Sequence, residues 1–326
     1  MKICVIGCGV HSGFFHGPSL KRIAGLRPDT ILAACCDLKR ELTEQYASSH
    51  GFRRSYTDYL EMLDAERPDM VDVVMPVHLT EKVALEVLSR GVSCILEKPP
   101  AESPEGVRRI IAEAAGAGAQ ARVAFNRRFA PLTGELVRRL AEMPEDRIQL
   151  IAYDMHRYQR GGEDFAFTAL HGIDLVRYVA GADYADVRYD YEPVAENTVN
   201  IYMHGTMTNG ISVRLNVLPH TGRSLERLAV HTGERSFFLD IPVNRDDCGA
   251  LTVFRNNKLL QTVRAAKMED VEVDFVQNGV FDELSSFIEL LRNRDTDTTS
   301  AIGQSLQSVE MACLIRNKAS FYRREE

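Results

Sequence analysis

The sequence predicts an α/β protein in which a doubly wound parallel sheet is followed by an α+β region with an open, mostly antiparallel sheet. Three observations predict it. Short continuous apolar runs alternate with helically spaced segments over residues 1–125, the first run leads straight into a glycine-rich turn, and beyond residue 126 strand-like runs follow one another with few helices between them. Continuous apolar strands belong to parallel sheets buried on both faces by crossover helices, whereas successive strands pair antiparallel and leave one face open.

Size agrees with two domains. The chain has 326 residues, and single cores stop growing at about 250–300. The expected division is 1–125 for the first domain and 126–326 for the second, with the C-terminal helix a candidate to pack back on the first. Hydrophobic residues at 45% and charged residues at 26% exclude an intrinsically disordered chain.

Within the first domain the strand runs are residues 3–6, 31–36, 71–75, 93–96 and 122–125. Helical spacing is clearest at Glu81, Val83, Ala84, Val87 and Leu88, ending at Gly91, and over 105–115, which opens after Ser103-Pro104. The second domain reads as a helix over 133–143, an apolar-aromatic strand over 148–156 and a helix over 168–179. Strands follow over 187–191, 199–204, 211–217, 227–231, 236–241, 251–255 and 259–263, and helices over 281–291 and 305–319 close the chain. No internal repeat is seen.

A net charge of −7, from 39 basic and 46 acidic residues, lacks the basic footprint that nucleic acid or an anionic membrane requires. No apolar run reaches the ~18–20 residues of a membrane span, and Gly7 and Gly9 interrupt the N-terminal one. A cytoplasmic location is expected. Of seven cysteines, Cys4, Cys8, Cys35, Cys36 and Cys94 lie in or beside apolar strands, the pattern of buried reduced thiols. No CxxC pair occurs, and no metal is expected.

The first strand runs into Gly7-Cys8-Gly9-Val10-His11-Ser12-Gly13. Such a GxGxx-small turn brings backbone close to a dinucleotide pyrophosphate, as in Rossmann domains. Gly7, Gly9, Val10, His11 and Ser12 are therefore candidate cofactor contacts. Asp37 ends the second strand, where a carboxylate binds both ribose hydroxyls of NAD and repels the 2′-phosphate of NADP. Lys39 and Arg40 follow it and are placed to reach that phosphate, so NAD is favoured over NADP without excluding it. The plainer alternative is a tight turn with Asp37 merely ending a strand.

The fifth strand ends in Glu97-Lys98-Pro99-Pro100, preceded by Arg90-Gly91-Val92-Ser93-Cys94-Ile95-Leu96. This segment resembles the EKP motif of the Gfo/Idh/MocA family, the glucose–fructose oxidoreductase and inositol dehydrogenase group. The resemblance includes the Gly7-to-Gly13 turn, Met75-Pro76, Phe125-Asn126-Arg127-Arg128-Phe129 with Pro131, and His171 with Asp174. It implies a Rossmann domain plus an open-faced sheet domain, and NAD(P)-dependent hydride transfer at a hydroxyl of a sugar, cyclitol or related polyol. It also implies that Lys98 reaches the reacting oxygen and the nicotinamide ribose, while Glu97, Met75 and Pro76 line the cofactor site. The bare chemistry agrees, since a lysine at the carboxyl end of a strand lies where open α/β sheets bind ligands.

His171 and Asp174 are three apart and share a helix face. They resemble the end of the family's DxGxHxxD signature, but its first acidic position is Phe167 here and its glycine is Ala169. The proton relay then consists of Lys98 and His171 alone, or draws on Asp164, Tyr158 or Asp174. Thr80 stands where many members have His. Asn126, Arg127, Tyr158 and Asp174 are the candidate substrate contacts, the first two at the domain junction. Tyr158 belongs to a polar cluster with His156, Arg157 and Arg160 before Gly161-Gly162. A homodimer or homotetramer through the open sheet is expected. The alternative to an enzyme is a nucleotide-binding sensor or scaffold that has lost part of the relay.

Overall fold

The computed structural model describes residues 1–143, 145–160, 165–243, 249–264, 273–297 and 301–324. The chain forms two compact units, the first made of Met1–Asn126 with Asp274–Val309 and the second of Arg127–Val273 with Glu310–Glu326.

The first unit alternates strand and helix. Its elements are β1 (Lys2–Ile6), α1 (Gly17–Leu26), β2 (Ile31–Cys36), α2 (Arg40–His50), β3 (Arg54–Tyr56), α3 (Tyr59–Glu66), β4 (Met70–Val73), α4 (Val77–Leu88), β5 (Ser93–Leu96), α5 (Pro104–Ala117) and β6 (Ala121–Val123). All strand pairs are parallel, in the order β3-β2-β1-β4-β5-β6. The order reverses between β1 and β4, and such a switch point opens a ligand crevice at the strand carboxyl ends. The two-sided burial read from the sequence is present, with Ile3, Val5, Val71, Ile95 and Leu96 fully buried. Cys4, Cys8, Cys35, Cys36 and Cys94 are free, buried thiols. Asp58 caps α3 by accepting from the amides of Leu60 and Glu61, and Ser103 caps α5 by accepting from Gly106.

The second unit opens with α6 (Pro131–Ala141), β7 (Ile148–Tyr158) and α7 (Ala166–Ala180). A run of strands follows: β8 (Tyr184–Ala195), β9 (Thr198–Met207), β10 (Ser212–Thr221), β11 (Leu225–Thr232), β12 (Arg235–Ile241), β13 (Ala250–Arg255) and β14 (Lys258–Arg264). Then come α8 (Val273–Gln277), α9 (Val280–Asn293), α10 (Leu306–Arg316) and β15 (Phe321–Arg323), α9 and all of α8 after Val273 belonging to the first unit. The sheet order is β14-β13-β12-β11-β7-β10-β9-β8-β15. It is antiparallel except for β7 and β10, a pairing the strand succession did not reveal because β7 is inserted between two later strands.

One face of this sheet packs under α6 and α7 through Ile151, Tyr153, Met155, Leu215, Val217, Leu228 and Val230. The opposite face carries Arg214, His204 and Arg227, all exposed. That alternation is expected of a sheet covered on one side. The short edge strands β3 and β15 escaped the sequence reading, since three residues carry too little periodicity to register. Asp164, Gly161 and Gly162 lie outside the described residues. Among the described residues no helix is long and apolar enough to cross a membrane.

Candidate active site

Gly7 ends β1 with φ +103°, a conformation that L side chains rarely adopt. A Cβ there would lie 2.0 Å from the Val74 carbonyl oxygen. Gly9 and Gly13 face open space instead, with nothing near a built Cβ, and Val10 is 77% exposed. The turn thus leaves its backbone uncovered, as close approach to a pyrophosphate requires. The helix does not start at once: Ser12–His16 form a single π-turn before α1, with the Gly17 amide bonding back to the Ser12 carbonyl. Ser12 is fully buried, its hydroxyl 2.8 Å from that of Tyr46, so it braces the turn from inside and does not reach a ligand.

Asp37 follows β2, and its Oδ2 accepts the Cys8 amide at 2.9 Å. The carboxylate expected to meet a ribose is thereby tied to the glycine turn. Lys39 and Arg40 are exposed beside it. Met75 and Pro76 follow β4, where Pro76 is exposed and Met75 half-buried beside Gly7. Thr80 is fully buried and donates to the Met75 and Pro76 carbonyls, so it closes the first turn of α4. His78 is exposed on that turn.

Glu97 is the hub of a network that the sequence did not announce. Its Oε1 lies 3.1 Å from His11 Nε2 and 3.2 Å from His16 Nε2, and its Oε2 accepts the Lys98 amide at 3.1 Å. His16 Nδ1 lies 2.9 Å from Oδ2 of Asp72 on β4, and both side chains are buried. Burial by itself disfavours a charged His16, but Asp72 and Glu97 outweigh it and raise its pKa to about 10. Burial likewise opposes ionisation of Glu97, yet His11 and His16 hold its carboxyl well below the usual carboxylate range. A chain of contacts therefore runs from Asp72 through His16 and Glu97 to the backbone of Lys98. Nearby Glu283 on α9 is fully buried, and burial pushes its carboxyl well above the usual range.

In the second unit, Arg127 and Arg128 turn out to be paired inside. Arg127 Nε and Nη2 donate to Glu226 at 2.6 and 2.7 Å. Tyr153 donates to the same carboxylate at 2.8 Å, and Arg157 also bonds to it. Burial disfavours the charge on Glu226, but the two guanidiniums outweigh that and lower its pKa to about 2. Arg128 makes a two-point ion pair with Asp174, both buried. Asp174, expected to contact substrate, therefore spends its carboxylate on Arg128, because its place on α7 faces the core. Asn126 is buried and donates to the Asn278 carbonyl at 2.8 Å, within the first unit.

His171 sits half-buried on α7. Its neighbour Gly172 lies directly on Tyr153, where a built Cβ would approach the ring to 2.4 Å. Phe167, at the departed acidic position, has its ring under the Arg316 guanidinium at 4.8 Å. Tyr158 is 56% exposed at the end of β7, its amide donating to Ser224. Lys98 is half-buried at the end of β5, in the first unit.

A parallel sheet with a glycine turn at its switch point defines the first unit as a dinucleotide-binding domain. Comparison with known proteins agrees: residues 1–125 match the family described as GFO_IDH_MocA, oxidoreductase family, NAD-binding Rossmann fold. The resemblance carried by the EKP segment is borne out. Inositol 2-dehydrogenase of Paracoccus denitrificans is 30% identical over 58% of this chain and 56% of its own. D-glucoside 3-dehydrogenase of Escherichia coli is 29% identical over 42% and 38%. The chain thus spans about half the length of the curated relatives it matches, or less. Among solved structures, a levoglucosan dehydrogenase in complex with NADH and levoglucosan has a TM-score of 0.83 at 16% identity, covering 100% of both chains. A Gfo/Idh/MocA family oxidoreductase from Vibrio cholerae has 0.80 at 19%, covering 98% and 97%. The two-domain fold read from the sequence is therefore shared over the full length.

Proposed function

We propose that this chain is an NAD-dependent dehydrogenase that moves a hydride between the nicotinamide and a carbinol carbon of a sugar, cyclitol or related polyol. The observation that carries the reading is the chain from buried Asp72 and His16 through Glu97 to the Lys98 amide, at the same sheet end as the glycine turn. An imidazole locked between two carboxylates fixes the backbone that presents Lys98, and preorganisation of this kind is what a positioned acid or base needs.

The residues present fit the cofactor. Gly7, Gly9, Val10 and His11 would hold the pyrophosphate, with Ser12 bracing their turn from inside, Asp37 would hold the ribose, and Met75, Pro76 and Glu97 the nicotinamide end. The dinucleotide, when bound, supplies or accepts the hydride. On the protein side, Lys98 Nζ or a ring nitrogen of His171 takes the hydroxyl proton during oxidation, and the other offers a donor to the developing charge on oxygen. Asn126, Arg127 and Tyr158 are assigned to substrate, and Asp174 supports them by fixing Arg128. Asp37 sets the preference for NAD, against the nearby Lys39 and Arg40. The protein works in the cytoplasm as a homodimer or homotetramer through the uncovered sheet face, with a small polyol as its partner and no nucleic acid or membrane.

The test is to follow absorbance near ~340 nm, where reduced nicotinamide absorbs, over a panel of cyclitols, aldoses and sugar acids with each dinucleotide. Reduction with at least one polyol, faster with NAD than with NADP, is expected. Dinucleotide binding by calorimetry with no turnover on any member would instead favour a non-catalytic sensor. That second reading draws support from Phe167, which covers Arg316 where the family signature has an acid.

A further inference from the structure

We propose that His11, His16 and Glu97 form a binding site for a divalent transition-metal ion of zinc-like chemistry, held by Nε2 of each imidazole and a carboxylate oxygen. The sequence gives no hint of it, because the three ligands come from the glycine turn, the π-turn and the end of β5.

The geometry is close to what an ion needs. The donor atoms of all three residues lie within 4.8 Å of one another, and the two histidine–glutamate spacings are 3.1 and 3.2 Å. Points with such spacings share a centre no more than about 2.4 Å from each, against about 2.0–2.2 Å for zinc–nitrogen and zinc–oxygen bonds. The ion enters with little movement. As it does, both imidazoles give up the Nε2 proton each donates to Glu97: exposed His11 shifts to its Nδ1–H tautomer, His16 releases its proton to solvent, and the freed lone pairs bind the metal.

The support around the ligands has the right form. His16 Nδ1 is held by Asp72 Oδ2 at 2.9 Å, the carboxylate–histidine arrangement that fixes the tautomer and ring orientation of a metal ligand. The π-turn over Ser12–His16 brings the two imidazoles together, with ring centroids 5.5 Å apart, and π-turns concentrate at functional sites. His11 is half-exposed, so an ion has a way in and room for a water ligand.

The ion would claim side chains that the proposed function assigns to the dinucleotide, so metal and cofactor compete. Only this competition rests on that reading. The metal-free, untagged protein is titrated with Co²⁺, whose visible absorption reports nitrogen and oxygen ligands. One Co²⁺ per chain is expected, displaced by Zn²⁺. His11→Ala, at an exposed position, is expected to weaken binding at least about tenfold, and Asp72→Asn about 10–100-fold, as for other outer-shell carboxylates. Absence of saturable binding into the millimolar range, or unchanged affinity in His11→Ala, overturns the site. If Co²⁺ binds, is lost in His11→Ala and is indifferent to NAD, the metal site stands and the placement of the cofactor fails. If NAD binds but Co²⁺ does not, the reverse holds.

Discussion

The two units solve the same problem, a carboxylate largely shielded from water that must stay charged, with different partners. Around Glu97 the partners are imidazoles. Around Glu226 they are two guanidiniums and a tyrosine hydroxyl. Arginine does not lose its proton in proteins, so the second cluster is fixed across the working pH range. Histidine can exchange its proton for a ligand, so the first is responsive. The difference separates a unit whose cluster can respond to a ligand from a unit whose cluster is fixed.

The sharpest way to test that division is at its two extremes. Lys98→Met removes the group that the first network presents while leaving Asp72, His16 and Glu97 in place. Turnover should fall about 10²–10⁴-fold, the usual contribution of a positioned acid or base, with NAD still bound by calorimetry. Turnover within a factor of a few of the parent would move the chemistry away from Lys98.

The next effect belongs to the scaffold. Glu226→Gln leaves Arg127 and Arg157 facing a neutral amide, and breaking a buried pair in this way costs about 3–5 kcal/mol. Urea unfolding should show it, and a loss below about 1 kcal/mol would mean that these ion pairs contribute little to the fold. The pH dependence has a definite sign. The folded pKa of Glu226, about 2, lies below the ordinary 4.5, so its stabilisation is present above pH ~4.5. It disappears as pH falls through about 2, when the carboxylate facing Arg127, Arg157 and Tyr153 takes up a proton. Glu226→Gln should flatten that acid limb of stability against pH.

The smallest effect concerns Phe167. Truncation to Ala removes its contact with Arg316, worth about 0.5–1 kcal/mol at a partly exposed site. Stability should fall by that order while kcat stays within about twofold, since no proton passes through a phenyl ring. A large fall in kcat alone would show that the ring shapes the substrate pocket.

What was legible in the sequence is what is local in the chain. The Gly7-to-Gly13 turn, Asp37 and the EKP segment each announce themselves within a few residues, and the alternation of strand and helix announced a doubly wound parallel sheet in the first unit. The buried partnerships were not legible, because Asp72 meets His16 across 56 positions and Arg127 meets Glu226 across 99. Nothing in the flanking residues of either encodes the other. Asp174 misled for the same reason: its helical phase with His171 was correct, but phase alone does not tell whether a carboxylate faces a crevice or, as here, Arg128.

The absence of a side chain at residue 172 has a mechanical meaning. Helix α7 rests on the Tyr153 ring with no spacer, so the height of the whole rod above the sheet is set by one missing methyl group. Adding that methyl, 2.4 Å from the ring as placed against about 3.5–4.0 Å for an ordinary carbon contact, would act as a shim beneath His171, lifting it by about 1 Å while leaving its chemistry intact. Displacements of about 1 Å are enough to cost roughly 10²-fold in rate, which makes this position a dial for alignment that is separate from any group taking part in the reaction.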